Sequence, residues 1–178
     1  MLYDERIMQI LETLDEHAKK KKVPYLLIGG HAMNLLGFPR QTSDLDLLVK
    51  KSEASYWEEM ILALGYECFQ KHHVFCRYSA KGLDNWPIDL MLVDDEVFES
   101  LLAESIEREL SGCSVHIPSA QHMIALKLHA LKQHHPHREA KDTLDIAELL
   151  RLHEISNEEF QRMCEKYGRI DLYDKFKR

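Results

Sequence analysis

The run Ile28-Gly29-Gly30, followed after thirteen residues by Asp44-Leu45-Asp46-Leu47, narrows what this chain can fold into more than any other feature. On a strand, residues two apart face the same side. Asp44 and Asp46 therefore project together, and Leu45 and Leu47 project to the opposite, apolar side. Two carboxylates on one face repel each other and cost stability unless something compensates them. A divalent cation would do so. Magnesium takes hard oxygen ligands and commonly uses one or two carboxylates plus substrate phosphates. Gly29-Gly30 stands where an apolar strand gives way to a helix. Without Cβ atoms the backbone there can approach a phosphate closely, beside the unpaired N–H groups of a helix start. A tight turn would use the same pair.

A third acid completes the pattern. Asp89 interrupts the otherwise apolar strand Ile88-Asp89-Leu90-Met91-Leu92-Val93. An ionised carboxylate is unfavourable in such a place unless it is paired or bound to metal. On a neighbouring strand it would face Asp44 and Asp46. Three carboxylates can hold two metal ions about 4 Å apart, activating an attacking oxygen and stabilising a leaving one. Asp89 is then the natural general base for an incoming hydroxyl. Taken alone, it reads equally well as a strand-edge residue.

The rest of the chain supplies the scaffold. Ile7, Ile10, Leu11 and Leu14 predict a helix over 3–20, closed by the basic run 19–22. A strand is expected over 25–28, a short helix over 31–36 stopped by Gly37 and Pro39, and a strand carrying both Asp44 and Asp46 through Val49. A helix from Ser52 has Trp57, Met60, Ile61 and Leu64 as its inner face. Strand-like runs follow at 66–69 and 74–78, with His72-His73 as the loop between them. Next come the Asp89 strand, a helix over 96–102 and a last strand over 114–117. Beyond Pro118 the period is helical throughout, with breaks near Pro136, Ser156 and Gly168. The class is thus α/β (α+β): a mixed core over 1–118 and a C-terminal helical segment over 119–178.

Composition limits the partners. The chain has 178 residues and a formal net charge of −7, which disfavours binding duplex DNA through its phosphates. Its four cysteines form no C-x-x-C pair, so zinc ribbons and redox motifs lack support. No apolar run approaches the ~20 residues that cross a bilayer, and the opening residues are charged and amphipathic, unlike a signal peptide. The expectation is a reduced cytoplasmic protein with no membrane contact.

These residues resemble the signature of the polymerase-beta-type nucleotidyltransferase superfamily: hydrophobic-Gly-Gly, a spacer, Asp-hydrophobic-Asp-hydrophobic, then a later carboxylate on a strand. More narrowly, Gly29-Gly30-His31-Ala32, Arg40-x-Thr42-x-Asp44-x-Asp46 and Lys141-Asp142-x-x-Asp145 resemble the AbiEii-like group, which includes toxins of type IV toxin–antitoxin systems. The similarity spans about residues 25–150. It implies a nucleotidyltransferase fold, a small mixed sheet flanked by helices. It further implies magnesium-dependent transfer of a nucleoside monophosphate from a nucleoside triphosphate such as ATP. The acceptor would be RNA, protein or a small molecule, and an antitoxin protein is a candidate partner. Asp44 and Asp46 would hold magnesium, and Asp89 the second metal and the acceptor hydroxyl. Gly29, Gly30, Arg40, Thr42, Lys127, Lys141, Asp142 and Asp145 would meet the nucleotide. Two other readings stay open: an antibiotic-modifying nucleotidyltransferase, and a catalytically idle module that binds nucleotide or docks a partner. The intact acid trio speaks against the idle module.

Each supporting residue also has a plainer reading. Lys127 lies in an apolar helix pattern, where lysines usually snorkel to the surface. Lys141, Asp142 and Asp145 share a helix face and could be a solvent ion-pair group. His134-His135-Pro136-His137 reads as a polar turn and Trp57 as core. Trp86 packs at the site mouth or caps its strand.

Overall fold

The computed structural model describes residues 5–80, 86–132 and 136–177. It forms two compact units, one of residues 1–32 and 40–118, the other of residues 33–39 and 119–178. Strands alternating with helices build the first. Its elements are α1 (Glu5–Lys21), β1 (Leu26–Leu27), the start of α2 (Gly29–Leu35), β2 (Leu45–Lys50), a 3₁₀ turn (Lys51–Glu53), α3 (Ala54–Ala63), β3 (Tyr66–Lys71), β4 (Phe75–Ala80), β5 (Ile88–Val93), α4 (Asp95–Ala103), β6 (Ile106–Leu110) and β7 (Cys113–Ile117).

Five strands make one sheet in the order β1-β2-β5-β4-β3, and β6 and β7 form a separate hairpin. Only β2 and β5 run parallel; the other neighbours are antiparallel. β5 shows which face meets the core: Ile88, Leu90 and Leu92 are buried and the residues between them half-buried, the period-2 pattern of a strand with one face on a core. Leu45 and Leu47 of β2 join that core, with Trp57 from α3 and Phe98 from α4. Trp57 also meets Tyr25 edge to face, centroids 5.6 Å apart.

The second unit is helical: α5 (Ala120–Leu131), α6 (Pro136–Leu152), α7 (Asn157–Tyr167) and α8 (Ile170–Phe176). Ser119 caps α5, accepting from the backbone of His122. Ser156 and Glu159 form a reciprocal capping box on α7, which ends at Gly168 in the left-handed conformation with φ 70°. Residues 33–39 group with this unit, and within it His153 Nε2 bonds the Leu36 carbonyl at 3.0 Å.

Several expectations are corrected. β6 is a strand that the sequence reading missed. β1 is only two residues long, and Leu64 caps α3 from the surface, 36% exposed, instead of joining its inner face. Gly29 and Gly30 do not precede α2; they are its first two residues. His134 and His135 lie outside the described residues. All four cysteines are free thiols, and burial pushes Cys164 up to about 11. Among the described residues no helix is long and apolar enough to cross a membrane.

Candidate active site

The register of β2 against β5 sets Asp46 directly beside Asp89. Residues paired across adjacent strands share a face, so both acids leave the sheet on the same side. Asp44 stands in a bend one residue ahead of β2, not within the strand as expected. It nonetheless reaches the same point. One carboxylate oxygen from each of Asp44, Asp46 and Asp89 lies within 4.8 Å of the others, and all three side chains are half-buried. Among the described residues no other set of three His, Cys, Asp or Glu side chains gathers in this way.

The two glycines make room for two of these acids. Gly29 has φ +64°, which side chains rarely adopt, and a Cβ on it would overlap the Asp46 carboxylate. A Cβ on Gly30 would overlap the side chain of Thr42. Thr42 Oγ1 in turn donates to Asp44 Oδ1 at 2.8 Å. Gly29 therefore admits Asp46, and Gly30 admits the threonine that holds Asp44. The turn is fastened to β2 by the Ile28 amide donating to the Asp46 carbonyl at 3.0 Å. Both glycines thus have a steric cause within the protein.

Arg77 of β4 escaped the sequence reading. It pairs in register with Asp89. Its Nε donates to Asp89 Oδ2 at 2.9 Å and Oδ1 at 3.2 Å, and its Nη2 lies 2.9 Å from Oδ2. The hydrogen bond to Asp89 raises the pKa of the guanidinium further; burial opposes this, and attraction from Asp89, Asp44 and Asp46 adds to it. One sign of Arg77 was available. Cys76 and Tyr78 are the apolar positions of β4, so alternation turns Arg77 to the other face. Which strand lies beside β4 is not written locally.

Around the trio, Arg40 is half-buried, its Nη1 donating to the Gln41 carbonyl at 3.4 Å. His31 is 1% exposed and tilts against Trp86, ring centroids 6.1 Å apart. Burial holds the His31 pKa below its ordinary value; Asp44 pulls it up and Arg40 pushes it down.

The remaining candidates lie in the helical unit. Lys127 is buried, with Nζ 2.5 Å from Asp145 Oδ2 and 3.1 Å from Asp142 Oδ1. The side chains of the three are 9%, 7% and 1% exposed for Lys127, Asp142 and Asp145. This is neither a snorkelling lysine nor a solvent ion pair. Lys141, one residue from Asp142, is exposed.

The trio's chemistry suits a divalent cation. Its donors are hard oxygens, close together and reachable from solvent. A parallel strand pair presenting clustered acids beside a glycine-initiated helix defines the class, a nucleotidyltransferase-fold α/β protein. More narrowly, the chain belongs to the family described as an uncharacterised nucleotidyltransferase, whose model matches residues 2–171. No curated protein matches it. An antigenic nucleotidyltransferase-like protein from Paracoccidioides brasiliensis shares the fold at 15% identity and a TM-score of 0.60, over 99% of this chain and 95% of that one. The antibiotic-resistance factor ANT(2'')-Ia does so at 16% and 0.63, over 98% and 90%. The lincosamide antibiotic adenylyltransferase LnuA, solved with lincomycin bound, aligns at 14% and 0.58, over 85% and 99%. At these identities the likeness is one of fold.

Proposed function

We propose that the protein transfers a nucleoside monophosphate from a nucleoside triphosphate to a hydroxyl of a small molecule, with magnesium held at Asp44, Asp46 and Asp89. The observation that carries this is the approach of three carboxylates within 4.8 Å on elements from distant parts of the chain. When bound, magnesium supplies charge neutralisation and polarises the phosphoryl group. The chain's residues do the rest. Thr42 fixes Asp44, Gly29 leaves space for Asp46, and Arg77 holds Asp89. Asp89 accepts the proton of the acceptor hydroxyl on its carboxylate, and Arg40 offers a cation to phosphate oxygens. Positioning and electrostatics account for such catalysis, with pyrophosphate as the leaving group.

A small-molecule acceptor is supported by two similar structures, ANT(2'')-Ia solved with adenylyl-2''-tobramycin and LnuA solved with lincomycin. The net charge of −7 argues against a polyanionic acceptor such as RNA. The toxin reading, with its antitoxin partner, has only the motif resemblance behind it. For Lys127, Asp142 and Asp145 the buried ion pairs favour a role in holding the helical unit together, and a nucleotide role rests on resemblance alone, as it does for Lys141.

Incubation with α-labelled nucleoside triphosphates, magnesium and a cell extract tests the assignment. Label in the small-molecule fraction is the expected result. Label in RNA or protein would overturn the acceptor class. Absence of transfer, together with no calorimetric signal for any triphosphate, would overturn the enzyme reading.

A further inference from the structure

We propose that Arg77 is the site's built-in counter-ion: it holds Asp89 in place before a divalent cation arrives and sets how tightly the trio takes one. This rests on the reading of the trio as a divalent-cation site.

The geometry separates Arg77 from an ordinary surface ion pair. It stands opposite Asp89 in the β4–β5 register, so its stem has a fixed starting point. Its Nε reaches both Asp89 oxygens, Oδ2 at 2.9 and Oδ1 at 3.2 Å, and its Nη2 joins it on Oδ2 at 2.9 Å. Contacts from two nitrogens of one planar guanidinium restrict the orientation of a carboxylate more than a single ammonium does. Asp89 is 20% exposed and Arg77 44%, so the guanidinium sits at the rim and is not locked in by burial. An entering cation must share the Asp89 oxygens with it and lies within the repulsive field of its charge. Arg77 therefore keeps three crowded acids compatible with one another when no metal is present, and in doing so weakens their grip on one.

Charge and geometry can be separated by substitution. Arg77→Lys keeps the charge and loses the fork. Arg77→Met keeps an unbranched stem and loses the charge, and Arg77→Gln serves if the methionine variant does not fold. Mn²⁺ binding in the absence of nucleotide, followed by electron paramagnetic resonance on the full chain, reads the effect apart from turnover. Arg77→Met is expected to bind Mn²⁺ about tenfold more tightly than wild type, and Arg77→Lys within about twofold of it. Turnover should fall in both variants with little change in the KM for the triphosphate, because Asp89 has lost its orienting partner. A folded Arg77→Met that binds Mn²⁺ no more tightly than wild type overturns the proposal. Equal tightening in Arg77→Lys does so too, since charge would not be the cause. Asp46→Asn is the separate check on the underlying site: if wild type and this variant bind Mn²⁺ alike, the cation-site reading fails, and this proposal with it.

Discussion

Asp44, Asp46 and Asp89 stand half-exposed, with the Arg77 guanidinium on Asp89, whereas Asp142 and Asp145 are buried around Lys127. The difference lies in what surrounds acids of the same chemistry. A carboxylate removed from water must be paired, because desolvation otherwise outweighs what folding gains. Asp142 and Asp145 are paired inside the protein, at 3.1 and 2.5 Å from one ammonium, with Arg138 Nε 3.9 Å from Asp142. The trio keeps an open side, where water or a cation can reach its oxygens. A cluster sealed from water serves the fold; one that keeps an open side is available to a ligand.

The largest expected effect tests the buried cluster. Lys127→Met takes the ammonium away from two buried acids and should lower the free energy of unfolding by about 3–5 kcal/mol, read by urea titration. A loss under about 1 kcal/mol would show that the cluster is less sealed than its burial indicates. Asp46→Asn should do the reverse: a transfer rate lower by about 10²–10³, roughly 2.7–4 kcal/mol of barrier, with stability unchanged or slightly raised as repulsion eases. Equal turnover in wild type and variant would remove Asp46 from the site. Magnesium at about 100 times its Kd should stabilise wild type by about 2.7 kcal/mol. Asp46→Asn should lose that gain, which thermal melts with and without the ion can establish. Gly29→Ala places a side chain in left-handed backbone at about 1–2 kcal/mol, and because its Cβ would displace the Asp46 carboxylate it should also weaken the magnesium-induced shift. Ser156→Ala removes the cap of α7, which belongs to neither cluster, and should cost about 1 kcal/mol while leaving turnover alone.

What was legible follows the reach of each signal. The helix breaks at Ser156 and Gly168 were readable because a cap is written in neighbouring residues. The apolar run of β5 was readable for the same reason, and it exposed Asp89 as an intruder. That β2 lies beside β5, so that Asp46 and Asp89 meet, is a non-local pairing that periodicity alone does not encode. Arg77 was lost to the same limit. Lys127 was misread because its partners sit on another helix, fifteen and eighteen residues further on, and a local pattern offers a lysine only the surface. β6 went unseen because Ile-Glu-Arg-Glu-Leu carries charge where alternation is sought. The better sign was Ser111-Gly112, with φ of 50° and 87°, the positive-φ pair that tight hairpins need.

The grouping of residues 33–39 with 119–178 has a consequence for anyone who would take this chain apart. A stop after Pro118 deletes the four C-terminal helices yet leaves behind a piece of the body they belong to, including the buried Met33 and Leu36. An isolated 119–178 peptide lacks that same piece, with the carbonyl that His153 uses. No single scission yields both halves whole, so shuffling or truncation has to treat the polypeptide as one indivisible inheritance.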